Sequence, residues 1–127
     1  MSPERIAYEG EAFTVEWYYD SKEYCQALDY FNALSEQQQD RALYLFKRMG
    51  DHGLINDKTK FRHEGDQIYA FKPQPDRFLC FFLKGKKIMV TNAFCKKQDK
   101  LPPKEKQKAI GCKTDYETRI KEKTYYD

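Results

Sequence analysis

Two β-type runs joined by Lys84-Gly85 limit what this chain can fold into more than any other stretch. Arg77–Leu83 (R-F-L-C-F-F-L) is aromatic and apolar, and Lys86 to Phe94 (K-K-I-M-V-T-N-A-F) is β-branched and apolar, so each reads as a strand. The Lys-Gly pair between them is a tight-hairpin signal. Prolines bracket the unit. Pro73-Gln74-Pro75-Asp76 ahead of it reads as a turn, because proline cannot donate to a ladder. Pro102 and Pro103 behind it sit where a helix starts, since proline is tolerated in the first turn. An antiparallel pair with defined ends follows, and the other segments must pack around it.

Upstream, Ala12–Tyr19 reads as a first strand. Asp20 with Glu23 forms a capping-box pattern opening a helix, whose stripe is Tyr24, Ala27, Leu28, Phe31 and Leu34. Ser35 with Gln38 repeats the pattern for a second helix carrying Ala42, Leu45, Phe46 and Met49, with Gly50 as its end. Residues 53–65 read as a polar loop and Gln67–Lys72 as a strand. A last helix runs from Lys104 to about Lys123, with a thin apolar side of Ala109, Ile110, Tyr116 and Ile120. The order β-α-α-β-β-β-α predicts an α+β fold. A helical hairpin packs on one face of a small, mainly antiparallel sheet, and the C-terminal helix lies at the sheet's edge or end. The 127 residues suit one domain, with 1–10 and 124–127 expected as flexible ends.

Charge is distributed unevenly. Residues 1–40 hold two basic and nine acidic groups, a net of −7, whereas residues 84–123 hold thirteen basic and five acidic, a net of +8. A split of that kind suggests an anionic partner for the C-terminal half, or else a solvated lysine-rich surface. The junction Phe94-Cys95-Lys96-Lys97 followed by Pro102-Pro103 gathers cations where a strand passes into a helix. No stretch is apolar enough to span a membrane, and Met1–Glu11 is acidic without an apolar h-region, so a cytoplasmic chain without membrane attachment is expected. Cys25, Cys80, Cys95 and Cys112 form no CxxC pair and have no histidine at ligand spacing, so free thiols and no metal or cofactor are expected. His52 and His63 read as surface residues.

Register arithmetic gathers the candidate residues. A four-residue loop Pro73–Asp76 sets Lys72 opposite Arg77, and a turn centred on Lys84-Gly85 sets Arg77 opposite Asn92. Alternation from Asn92 then brings Phe94 and Lys96 to the same face. Like charges set directly opposite repel, so the row implies an anion between them, or a solvated sheet rim.

The strands I-Y-A-F-K and D-R-F-L-C-F-F, and above all V-T-N-A-F-C-K-K-Q-D-K-L-P, resemble the RelE/ParE superfamily of toxins, in particular its HigB-like, phage-derived branch. The resemblance spans about residues 12–121. It implies a toxin of a type II toxin–antitoxin system, with a helix-turn-helix antitoxin as partner. It also implies metal-independent endoribonuclease action on mRNA at the ribosome. Carried onto this chain, it makes Lys72, Arg77 and Lys97 the catalytic candidates and adds Lys96 at the phosphate; Lys60, Arg62, Asn92, Lys96 and Lys104 are the substrate-binding candidates. Lys72 is the candidate base, and Arg77 and Lys97 stabilise charge on the phosphate. Two departures stand out. Asn92 occupies a position where relatives often carry histidine, and Pro102-Pro103-Lys104 occupies the place of a tyrosine early in the last helix. These departures keep two other readings open: a ParE-like gyrase inhibitor, and a catalytically inactive relative that acts by binding a partner.

Overall fold

The computed structural model describes residues 5–98 and 100–126. Along the chain run β1 (Ile6–Glu9), β2 (Thr14–Trp17), α1 (Gln26–Asn32), α2 (Glu36–His52), β3 (Phe61–His63), β4 (Tyr69–Phe71), β5 (Asp76–Leu83), β6 (Lys87–Cys95) and α3 (Pro103–Lys121). The strands form one sheet in the order β1-β2-β6-β5-β4-β3, parallel only between β2 and β6. The α+β architecture, the helical hairpin and the C-terminal helix agree with expectation. Among the described residues no helix is long and apolar enough to cross a membrane. Cys25, Cys80, Cys95 and Cys112 are all free.

Two strands extend the expected order. β1 pairs with β2, and β3 lies within the stretch expected to be loop. Both are short and border the sheet, so neither shows a full alternating pattern in sequence. At the ends expected to be flexible, residues 6–9 are β1 and Tyr125 is 2% exposed. Residues 1–4 and 127 lie outside the described residues.

Helix ends differ in instructive ways. α1 does not begin at Asp20. That carboxylate accepts from the backbone N–H of Lys22 (2.8 Å) and Tyr24 (3.0 Å), closing a turn instead. Glu23 has φ of 62°, a left-handed value that cannot continue a helix. The N-cap is Cys25, whose Sγ accepts from Leu28 N–H at 3.3 Å. α2 has the expected Ser35–Gln38 capping box but passes through Gly50 to His52, and Gly53 caps it at φ 71°. Gly50 ends nothing. Its carbonyl accepts from Ala12 and Phe13 N–H, both at 2.8 Å, which ties α2 to the loop before β2.

Each sheet face has its own core. α1 and α2 cover Val15, Trp17, Phe71, Phe78, Ile88 and Val90. Trp17, Phe46 and Phe78 meet edge-on or tilted at 5.7–6.4 Å, the geometry aromatic rings prefer. On the opposite face Leu79, Phe81 and Met89 meet Ala109 and Tyr116 of α3, together with Tyr125 from the tail. Beyond Val90 the strand β6 outruns β2. There Gln26 of α1 takes the ladder's place, donating Nε2 to Ala93 O (2.9 Å) and accepting from Ala93 N–H (2.7 Å).

Candidate nucleic-acid interface

The register of β4, β5 and β6 determines which side chains converge. Phe71 pairs with Phe78, so Lys72 lies beside Arg77 as expected. Arg77, however, faces Phe94 and not Asn92. Two one-residue shifts account for this. The hairpin turn leaves Leu83 opposite Lys87, with positive φ at Gly85 (83°) and Lys86 (60°). A bulge at Thr91 adds the second residue, and its hydroxyl oxygen lies 3.2 Å from Leu79 O. Two shifts restore the face, so Arg77, Asn92 and Phe94 still point toward α3, with Asn92 opposite Leu79.

On that face, beside the start of α3, lies a shallow cleft. Arg62 comes from β3, Lys72 from the end of β4, Arg77 from β5, and Lys96, Lys97 and Lys100 from the segment leading into α3. Ala70 and Phe94 form its apolar floor, and Glu64 stands at its rim toward β3. The segment after β6 is tied back by Lys96 N–H, which donates to Pro75 O at 2.9 Å. Arg77 is 7% exposed, and its Nη1 donates to Asp76 O (2.9 Å) and Gln74 Oε1 (3.2 Å). These bonds fix the guanidinium plane at the base of the cleft. Lys72 Nζ donates to Lys58 O at 3.1 Å. Burial depresses the Lys72 pKa below the usual ammonium range, and neighbouring Arg77, Arg62 and Lys96 depress it further, while Glu64 works the other way. Burial likewise lowers Arg77, opposed by Glu64 and Asp76.

Asp76 supports the site from the opposite side of the sheet. It is 1% exposed and accepts from Tyr30 Oη (2.6 Å) and Gln38 Nε2 (3.2 Å), which fastens the start of β5 to both helices of the hairpin. Tyr30 is correspondingly harder to ionise, through burial first and Asp76 second.

Of the expected site residues, Lys72, Arg77, Lys96, Lys97 and Arg62 converge on the cleft, and three do not. Asn92 is 3% exposed and its amide is fully engaged. Nδ2 donates to Glu105 O and Oε1, both at 3.1 Å, and Oδ1 accepts from Thr91 Oγ1 at 2.6 Å. It pins the first turn of α3 to β6. Lys60 is exposed and lies beside Tyr44 and Pro73, along the α2 side. Lys104 is exposed on the first turn of α3, outside the cleft lining. Glu64 and Lys100 were not anticipated. Glu64 was legible only as the second residue after Arg62 in a strand, because period-two alternation puts both on one face.

A sequence model of the family described as phage derived protein Gp49-like (DUF891) matches residues 29–113, more than half of the chain. The matched span contains Arg62, Glu64, Lys72, Arg77, Lys96, Lys97 and Lys100. No curated protein matches the chain. The chain therefore belongs to the Gp49-like family of phage-derived proteins, a family related to the toxins of toxin–antitoxin systems.

Proposed function

We propose that this protein is a HigB-like toxin that cleaves mRNA at the ribosome as a metal-independent endoribonuclease and is neutralised by a helix-turn-helix antitoxin. One observation carries the reading: Arg62, Lys72, Arg77, Lys96 and Lys97, drawn from four segments, converge on a single cleft at one end of the sheet. So dense a cationic cluster is stabilised when it binds a polyanion.

The chemistry follows from the charges. When a ribose 2′-oxygen attacks the adjacent phosphorus, negative charge grows on the non-bridging oxygens. Arg77, held rigidly by Asp76 O and Gln74, presents a planar donor set to those oxygens, and Lys97 adds a second cation at the rim. Lys72, half-buried beside Arg77, completes the cradle. Fixed cations supply the charge stabilisation that a metal would otherwise bring. Induction of the chain should arrest growth and produce mRNA fragments with 5′-hydroxyl ends, and Arg77→Ala or Lys72→Ala should remove both effects. Arrest with intact mRNA, or undiminished cleavage by both variants, overturns the reading.

A second reading, an inactive relative acting by partner binding, rests on a different surface. Asn92 and Pro102-Pro103 offer no proton donor at the positions where relatives often carry one. Tyr44 and Leu54, 57% and 58% exposed, line a groove with Arg48 and Lys60 along α2. A purified chain that leaves mRNA intact yet blocks growth through this surface would favour it, as would loss of arrest on Tyr44→Asp.

A further inference from the structure

We infer that Glu64 accepts the 2′-hydroxyl proton in the cleavage proposed above, while Lys72 supplies a proton to the leaving oxygen; the inference rests on that nuclease reading.

Three observations support it. First, Glu64 is the one acidic side chain among the described residues that line the cleft. The lysines and arginines there carry donors and no acceptor, so while charged they can give protons but not take them. Second, its position is fixed. Glu64 N–H donates to Ile68 O at 2.7 Å and closes the β3–β4 turn, and alternation from Arg62 turns its side chain to the α3 face. Third, its charge acts on both Lys72 and Arg77, partly opposing the lowering of their pKa by burial, yet among the described residues it forms no ion pair with either. A carboxylate facing a bound phosphate opposes binding by like charge, so its presence there is explained by chemistry and not by affinity.

The step balances as follows. The Glu64 carboxylate takes the proton from the 2′-oxygen, which bonds to phosphorus as the bond between phosphorus and the 5′-oxygen breaks. The 5′-oxygen takes its proton from the Lys72 ammonium. The products are a 2′,3′-cyclic phosphate and a 5′-hydroxyl, and both side chains return to their starting states by proton exchange with water. This exchanges the role first expected of Lys72. An ammonium whose proton is loosened by burial and by Arg77 is a better acid, and the nearby carboxylate serves as the base.

The test uses the full chain with programmed ribosomes under single-turnover conditions. Binding is measured separately on the same mRNA carrying a 2′-deoxy sugar at the cleavage position, which cannot react. Glu64→Gln should slow cleavage by about 10²–10⁴-fold, the range of positioned acid–base groups, with equal or tighter binding of the deoxy analogue. Added formate should restore part of the activity of Glu64→Ala, a rescue that a purely structural role would not allow. Glu64→Gln cleaving at the wild-type rate, cleavage and binding weakening in parallel, or no rescue by formate each overturns the inference. A wild-type chain that never cleaves overturns the nuclease reading itself, so the two failures are distinguishable.

Discussion

The two faces of the sheet are finished differently. Under α1 and α2 the face is closed: Phe46, Phe71, Phe78, Ile88 and Val90 are fully buried, and aromatic rings interlock across it. Under α3 it is closed only at one end. α3 buries just Ala109 and Tyr116, and the tail must add Tyr125 to complete the cover over Leu79, Phe81 and Met89. Where that cover ends, the same strand β5 that sends Phe78 into the dry face sends Arg77 into the cleft. The site therefore arises from an incomplete helical layer. A polar, thin-sided α3 leaves exposed the part of the sheet where the strand ends bring their cations.

If the faces differ in this way, substitutions at adjacent residues should separate stability from activity. Phe78→Ala removes a ring that meets Trp17, Tyr30, Phe31 and Phe46, and should cost about 3–5 kcal/mol in denaturant unfolding. Arg77→Ala should lower single-turnover cleavage by about 10²–10³-fold, the cost of losing one transition-state donor. Its unfolding midpoint should fall far less than that of Phe78→Ala. Equal destabilisation by the two would mean that Arg77 is a part of the core and that the faces are not distinct.

The hold on α3 gives an effect of intermediate size. Asn92→Ala deletes the bonds to Glu105 O and Oε1 and leaves Thr91 Oγ1 without its amide acceptor. The expected loss is about 1–3 kcal/mol, with faster hydrogen exchange confined to the first turns of α3. Exchange that rises equally in α1 and α2 would show that the two layers are one cooperative unit.

What the sequence revealed follows the same division. The closed face was legible because its signals are local and repeated: the Ser35–Gln38 box, the stripe Ala42–Leu45–Phe46–Met49, and two strong strand runs. The row of Lys72 and Arg77 was legible because a proline turn fixes their pairing. Asn92 was misplaced because the turn and the Thr91 bulge each moved the register by one residue, and neither has a distinct sequence mark. β3 was missed because three residues, Phe61–His63, are too few for alternation to be visible among charges. Glu64 was missed with it. Its placement depends on pairing with β4 across a turn that has positive φ at Gly65, Asp66 and Gln67, a conformation that only Gly65 marks in the sequence.

The smallest effects test the boundary of the cleft. Removing a cation that contacts RNA phosphate should weaken binding of the deoxy analogue and reduce the slope of log affinity against log salt by about 0.7, the single-strand value per neutralised phosphate. Lys96→Ala and Lys100→Ala should each do so, because both line the cleft. Lys60→Ala and Lys104→Ala should keep the slope and change affinity by no more than about twofold, since exposed charges off the binding path act through screening solvent. Lys60 makes the stricter comparison. Its backbone carbonyl accepts from Lys72 N–H at 2.7 Å, so it is adjacent to the site in the ladder, while its side chain lies on the α2 side with Tyr44 and Pro73. If Lys60→Ala lowers the slope as much as Lys96→Ala, RNA passes around the β3 edge onto the helical face, and the division between a dry face and a binding face fails at that edge.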